Sequence, residues 1–263
     1  MGCWNILCNR YVRSEISMKP LLHGFARYHF IIFFLTVFAL PLFGEEASTL
    51  LESASLLGKA DRAVYMTEME IFTNKSSKTR NLTIYKESDG PDVFRLMAQV
   101  TAPAFLTNMK LLVLKEGQQE SRWMKTSRGV RSIAASGRKE QIFDSDMDTE
   151  DLVDIESDLF TISLKEDFGD IVSLLAYEKA TGYSRVITMD RMSKLIMHID
   201  YYDAANTLYK TYHMLESSHI EDYTFPKKGR ISSIKEKTYT ELTFTSVELP
   251  TSIPSRIFNR HQL

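Results

Sequence analysis

From Tyr65 onward, apolar and polar residues alternate with a period of two. Tyr65, Thr67, Met69 and Ile71 fall on one face, and so do Phe94, Leu96, Ala98 and Val100, with Arg95 and Gln99 opposite. The alternation returns at Phe160-Ile162-Leu164, at Tyr183, Ile187 and Met189, at Leu195-Met197-Ile199-Tyr201, and at Leu242-Phe244. Such runs predict half-buried strands. Ser88–Pro91, Glu116-Gly117, Thr181-Gly182 and Lys228-Gly229 supply the turns. One stretch has the helical period instead. Leu50, Leu51, Ala54 and Leu57 share a face of a helix predicted over Ala47–Gly58, whose end Gly58 suits. Roughly ten strands at this spacing predict one antiparallel, strongly curved sheet or barrel.

A one-sided sheet must cover its apolar face. The predicted helix and a second, short one near Met147–Leu152 are too little cover for so many strands. Either the sheet curls until its inner face fills itself, or it encloses a cavity. Ten of the 12 methionines lie after Gly44, and this flexible, polarizable side chain suits a surface that receives apolar ligands of varied shape. Tyr65, Met69, Phe94, Leu96, Leu112, Leu114, Trp123, Ile187, Met197, Ile199 and Tyr201 are therefore expected to line a hollow; the other reading of the same residues is a filled core.

The charge pattern is less ordinary. Six basic residues crowd into Arg122–Lys139, and eight acidic ones then fill Asp144–Asp158. Blocks of like charge repel unless opposite charges lie near. They are either two solvated loops or one folded unit whose charges pair. In the second reading Ser145 or Asp146 caps the short helix, with acidic residues in its first turn. Asp146 then lies near Arg138. Arg128, Arg131 and Arg138 brace a lid through Asp146, Glu150 and Asp151, or meet an anionic headgroup at its mouth.

The order W-M-K-T-S-R-G-V-R-S-I from Trp123, then G-R-K, then D-S-D-M-D-T-E-D-L from Asp144 resembles the LolA-like outer-membrane lipoprotein-sorting family. Tyr201–Asn206 resembles that family's Y-Y-D-x-x-G hairpin, and Ile253–Phe258 its I-x-x-x-x-F finish. The likeness runs from Arg62 to the end. The chain departs from the family's pattern at Asp144 (usually Gly), Met147 (an aromatic), Thr149 (Tyr) and Asn206 (Gly). Asn206 is the mildest departure, because Asn tolerates the left-handed conformation. The resemblance implies a mainly β (α+β) fold, a half-barrel of antiparallel sheet with a few short helices as a lid over an apolar cavity. It also implies a periplasmic carrier whose partners are lipoprotein acyl chains or lipid, an inner-membrane transporter and an outer-membrane acceptor. A lipid-binding subunit of an envelope exporter, or an envelope scaffold with a filled barrel and no ligand, are the alternatives.

Phe30–Gly44 is an uncharged apolar run preceded by Arg10, Arg13, Lys19 and Arg27. That is the form of a secretory signal with its roughly 7–15-residue apolar centre. It is short for a spanning helix of about 20 residues, although an uncleaved anchor is the other reading. Residues 1–44 are thus an extension and signal, with the true start at Met1 or Met18, and 45–263 the binding domain. Met1–Gly44 holds four of the 32 Lys and Arg and one of the 34 Asp and Glu, which leaves 28 basic against 33 acidic residues. That balance argues against nucleic acid. Cys3 and Cys8 both precede the apolar run, so the exported part has no disulfide and no thiolate.

Catalytic motifs are missing: no G-x-S-x-G, H-E-x-x-H, P-loop or G-x-G-x-x-G occurs. Ser136–Lys139 and Ser232–Lys235 match S-x-x-K without its partner motifs. The acidic block lacks EF-hand spacing. No enzyme, cofactor or metal is expected. The exported form is expected to begin near Glu45, which N-terminal sequencing checks. An intact Phe30–Gly44 in a membrane fraction would make the protein a tethered one.

Overall fold

The computed structural model describes residues 47–263 except Pro91, Ala135, Ser136, Arg138 and Glu156, and the side chain of Ser157. The predicted signal and the boundary at Gly44 lie outside the described residues. A helix covers residues 47–53. It is shorter than the predicted Ala47–Gly58, because Ser55 leaves the helical path to form a parallel bridge with Leu195. Leu50, Leu51, Ala54 and Leu57 are nevertheless all buried. No helix among the described residues is long and apolar enough to cross a membrane.

Thirteen strands follow: β1 (Arg62–Phe72), β2 (Ser77–Asp89), β3 (Val93–Ala102), β4 (Lys110–Glu116), β5 (Gln119–Thr126), β6 (Gly129–Ile133), β7 (Phe160–Asp167), β8 (Ile171–Glu178), β9 (Ser184–Asp190), β10 (Ile196–Tyr202), β11 (Leu208–Ile220), β12 (Tyr223–Ser233) and β13 (Thr238–Glu248). All pair antiparallel in one sheet of order β6-β5-β4-β3-β2-β1-β13-β12-β11-β10-β9-β8-β7. The sheet is curved but not closed, a half-barrel, as expected.

This order has a geometric consequence. The first and last strands pair in the middle, so the two free edges are β6 and β7, consecutive in sequence. Residues 134–159 therefore have to pass from one edge of the sheet to the other. The acidic block is that crossing.

The two faces of the sheet are covered differently. On the inner face, Tyr65, Met69, Ile84, Leu96, Leu174, Ile187 and Ile199 form one cluster with Leu51 of the helix and Phe143, Met147 and Leu152 of the crossing segment. On the outer face, the chain after β13 folds back as two short 3-10 turns, Ser255–Phe258 and Arg260–Gln262. Ile253 and Phe258 pack on Met97 and Leu112, with Trp123 and Leu263 at the margin. This explains the unbroken apolar run Leu111-Leu112-Val113 in β4: a strand buried on both faces need not alternate.

Gly58 joins the helix to the barrel at φ +89°, and a Cβ there would lie 2.5 Å from the Tyr223 hydroxyl. The hydroxyls of Tyr223 and Tyr65 both donate to the Leu57 carbonyl, at 2.6 and 3.0 Å. Only a glycine lets the chain pass so close to them.

Candidate functional site

Five cations sit at inward strand positions, each two residues from a core side chain. Arg80 precedes Leu82 and Lys86 follows Ile84 on β2; Arg122 precedes Met124 on β5, Arg185 precedes Ile187 on β9, and Lys210 precedes Tyr212 on β11. All five are buried. A buried charge is costly unless paired and hydrogen-bonded. The crossing segment supplies partners to all five.

Lys210 Nζ lies 2.5 Å from Asp148 Oδ2 and 3.0 Å from both Asp151 oxygens. Arg185 pairs with Glu150. Arg80 Nη2 donates to Asp144 Oδ2 at 3.0 Å. Arg122 Nη1 donates to Thr149 Oγ1 at 2.6 Å, and its Nε pairs with Glu120. Lys86 Nζ donates to the Gly58 carbonyl at 2.9 Å and lies 3.6 Å from Asp154 Oδ2. Asp154 also accepts from the Ser55 hydroxyl at 2.8 Å, which ties the end of the helix to the same segment. Neutral donors add to the set. Tyr201 Oη donates to Asp151 Oδ1 at 3.1 Å. The hydroxyls of Thr238 and Thr240 donate to Asp146 at 2.5 and 2.9 Å.

Local structure fits this role. Thr149–Leu152 forms one 3-10 turn, with Asp148 as its cap. Asp148 Oδ1 accepts from the Glu150 amide at 2.9 Å, and Asp151 Oδ2 accepts from the Asp148 amide at 2.8 Å. The D-x-x-D spacing satisfies amide donors at the start of the turn. The predicted cap, Ser145 or Asp146, is displaced by two or three residues. Asp146 instead turns to β13, where paired threonine hydroxyls compete for it.

Electrostatics follow from burial and crowding. Burial, together with the Asp151 charge, pushes the Asp148 carboxyl up to about 6, against the pull of Lys210. Burial disfavours the Lys210 ammonium, but Asp148 and Asp151 outweigh it and hold its pKa above the usual lysine value. Arg185 behaves alike: burial opposes its charge and Glu150 more than restores it. Burial also opposes the Asp154 charge, yet Lys86 and Lys59 hold its pKa below the ordinary range. Burial and the Asp151 carboxylate raise the Tyr201 hydroxyl, which stays a donor.

The structure divides the residues expected to line a hollow. Tyr65, Met69, Leu96, Ile187, Ile199 and Tyr201 come together on the inner face, with Phe94 at the edge of the same cluster. Leu112, Leu114 and Trp123 belong to the outer face, beneath the C-terminal turns. Met197 sits at a bulge between Ile196 and His198, which moves Ile196 into the core in its place. The inner-face residues are packed, not open to a hollow: Tyr65, Met69, Leu96, Ile187 and Ile199 each have 0 % exposure. An open cleft of about 710 Å³ lies elsewhere, at one rim, between Lys59, Arg62, Asp190, Met192, Tyr223 and Leu249.

Among the predicted braces, Arg131 pairs with Glu140, not with the acidic block, and Arg128 is exposed. Arg138 lies outside the described residues. The cations that hold Asp148, Glu150 and Asp151 are Lys210 and Arg185, far along the sequence. The signal that finds them is a cation at an in-facing position of an alternating strand.

Comparisons place this architecture. The chain has the fold of the LolA superfamily. A DUF1329 family protein from Desulfovibrio piger superposes with TM-score 0.74 at 18% identity, covering 84% of this chain and 99% of that one. A domain described as an outer membrane lipoprotein-sorting protein from Vibrio parahaemolyticus gives 0.71 at 16% identity, covering 83% and 98%. A LolA superfamily protein from Nitrosomonas europaea gives 0.63 at 14%, covering 82% and 99%. The chain belongs to a family whose model, described as "Uncharacterized protein", matches residues 95–263. No curated protein matches the chain.

The Asp148 shift sets a pH dependence. A carboxyl whose pKa is higher folded than unfolded adds stability that is present below its unfolded value and lost as pH rises through about 6. Asp154, with its lowered pKa, acts only below the usual aspartate range. His213, lowered by burial and by His198, works in the opposite sense near neutrality. Comparison with Asp148→Asn cancels the groups that do not interact with Asp148, His213 and Asp154 among them. Between pH 7.5 and 5 the wild type is expected to gain about 1 kcal/mol relative to Asp148→Asn. Urea unfolding at both pH values measures it, and a difference that does not change with pH would contradict the buried, crowded carboxyl.

Proposed function

We propose that this protein is a periplasmic carrier that shelters acyl chains of lipoproteins or lipids inside the half-barrel and passes them toward the outer membrane. The observation that carries the reading is the crossing segment, held over the inner face by discrete polar pairs. An acyl chain of about 16 carbons loses on the order of 12 kcal/mol on leaving a bilayer, so its carrier must offer a dry apolar surface. The apolar side chains between the five cations of the inner face offer such a surface, and in the closed form the lid's own Phe143, Met147 and Leu152 occupy it. A ligand enters by displacing them. The incoming acyl chain replaces the lid's apolar contacts and water replaces its polar pairs, which together offset the cost of opening.

The fold likeness and the apolar run Phe30–Gly44 support export to the periplasm. An inner-membrane transporter and an outer-membrane acceptor are the partners this role requires. The carrier reading calls for no catalytic step. One observation favours a second reading, a scaffold without ligand: the inner face is fully packed.

Binding of a fluorescent fatty acid separates the two. A carrier binds it, and Ile199→Asp, with a charge set in the apolar face, loses binding while circular dichroism shows it folded. Asp146→Ala, which removes the acceptor of the two threonines, is expected to cost about 1–3 kcal/mol of stability and to speed probe exchange. Absence of binding by both the wild type and Asp146→Ala would leave the filled scaffold.

A further inference from the structure

We propose that the outer face of β10 and β11 carries a binding site for one divalent transition-metal ion, copper(II) or zinc(II), with Nδ1 of His198 and Nδ1 of His213 as its two protein ligands. His198 and His213 stand directly opposite each other in the strand register. Their Nδ1 atoms are 3.1 Å apart. An ion bonded to both at the usual ~2.0–2.1 Å would subtend roughly 95–100°, between square-planar and tetrahedral geometry.

The ring centres lie 4.1 Å apart with planes at 42°, so the centres are little farther apart than the nitrogens and the rings lean side by side. His198 Nε2 lies 2.9 Å from Asp200 Oδ1. A carboxylate behind the ring holds the proton on Nε2 and leaves Nδ1 as the donor atom, as is usual for metal-bound histidine. Irregular pairing flanks both residues: one bulge lies between Ile196 and His198, another between Met214 and Glu216. Bulges re-aim side chains.

The surroundings allow a cation. His213 is exposed, and no described element covers the pair. Arg230, opposite His213 on β12, has its guanidinium engaged by Glu241. Among the described residues, no group of three or more His, Cys, Asp and Glu is arranged to hold a metal, so water completes the coordination. The ion replaces the proton shared between the two Nδ1 atoms, and His213 then carries its proton on Nε2. Copper(II) binds more tightly than zinc(II) at such a nitrogen site, and protonation of the rings at acidic pH displaces either.

The test is titration of the full chain with copper(II) alone and with zinc(II) alone at pH 7.5, followed by calorimetry, with electron paramagnetic resonance for copper. The expected result is an ion whose copper spectrum shows coupling to two imidazole nitrogens. His198→Ala and His213→Ala each abolish that coupling and weaken the ion's binding at least about tenfold, and Asp200→Asn weakens it about tenfold while both ligands remain. Thermal melts verify that these substitutions, at the exposed His213 and the half-buried His198 and Asp200, leave the fold intact. The proposal is overturned if excess metal does not bind, or if affinity and spectrum are the same in the wild type and both histidine variants.

Discussion

Five buried cations on the inner face of the sheet constrain everything around them. Lys210, Arg185, Arg122, Arg80 and Lys86 stand buried on strand faces otherwise occupied by core side chains. None can stay there charged unless an anion or strong acceptor reaches it. The segment that reaches them is the one the topology already forces across the inner face, because the sheet's free edges are consecutive strands. Sheet and crossing segment are therefore not independent. Removal of the acidic partners would leave cations stranded in the core, and removal of the cations would leave Asp144, Asp148, Glu150 and Asp151 with mutual repulsion and only neutral donors against it.

The pairing is distributed, not concentrated. Asp144 is held from β2, Asp146 from β13, Glu150 from β9, Asp148 and Asp151 from β11, with Tyr201 of β10 on the same Asp151. Each contact fixes one point of the segment over one part of the sheet, so the register of the crossing is specified along its length. Apolar side chains between those points, Phe143, Met147 and Leu152, then fill the interior. Charge pairs decide where the segment lies, and apolar burial supplies most of the attraction. A closure made this way differs from a fused core, since its polar pairs have good alternatives in water.

Much of the fold was legible in the sequence. Period-two alternation gives the strands, and the turn residues separate them. The half-barrel came from the resemblance at Trp123–Leu152, Tyr201–Thr211 and Ile253–Phe258, which implied short helices as a lid and not a crossing segment with a 3-10 turn at Thr149–Leu152. What escaped has physical causes. A bulge at Met197 breaks strict alternation, and only hydrogen bonding reveals it. Leu112 and Trp123 look like inner-face residues until the C-terminal turns are seen to cover the outer face. The basic block next to the acidic one suggested neighbours in sequence as partners. The actual partners, Arg185 and Lys210, are brought close by strand pairing over long separations. Their mark was present all the same: a lysine or arginine two residues from a core side chain on an otherwise apolar strand face.

On the carrier reading the acidic crossing segment opens as a unit while the sheet stays folded, and native-state hydrogen exchange reads that opening. The amide of Asp146 donates across to Thr240 Oγ1 of β13 and so reports on closure, whereas those of Asp148 and Ile142 bond within the segment, to Asp151 Oδ2 and the Met147 carbonyl. The Asp146 amide is expected to exchange through an opening of lower free energy than the amides of β1 and β13, and a fatty acid is expected to lower its protection further without touching those strands. Exchange of the Asp146 amide only with global unfolding, unchanged by fatty acid, would overturn that reading.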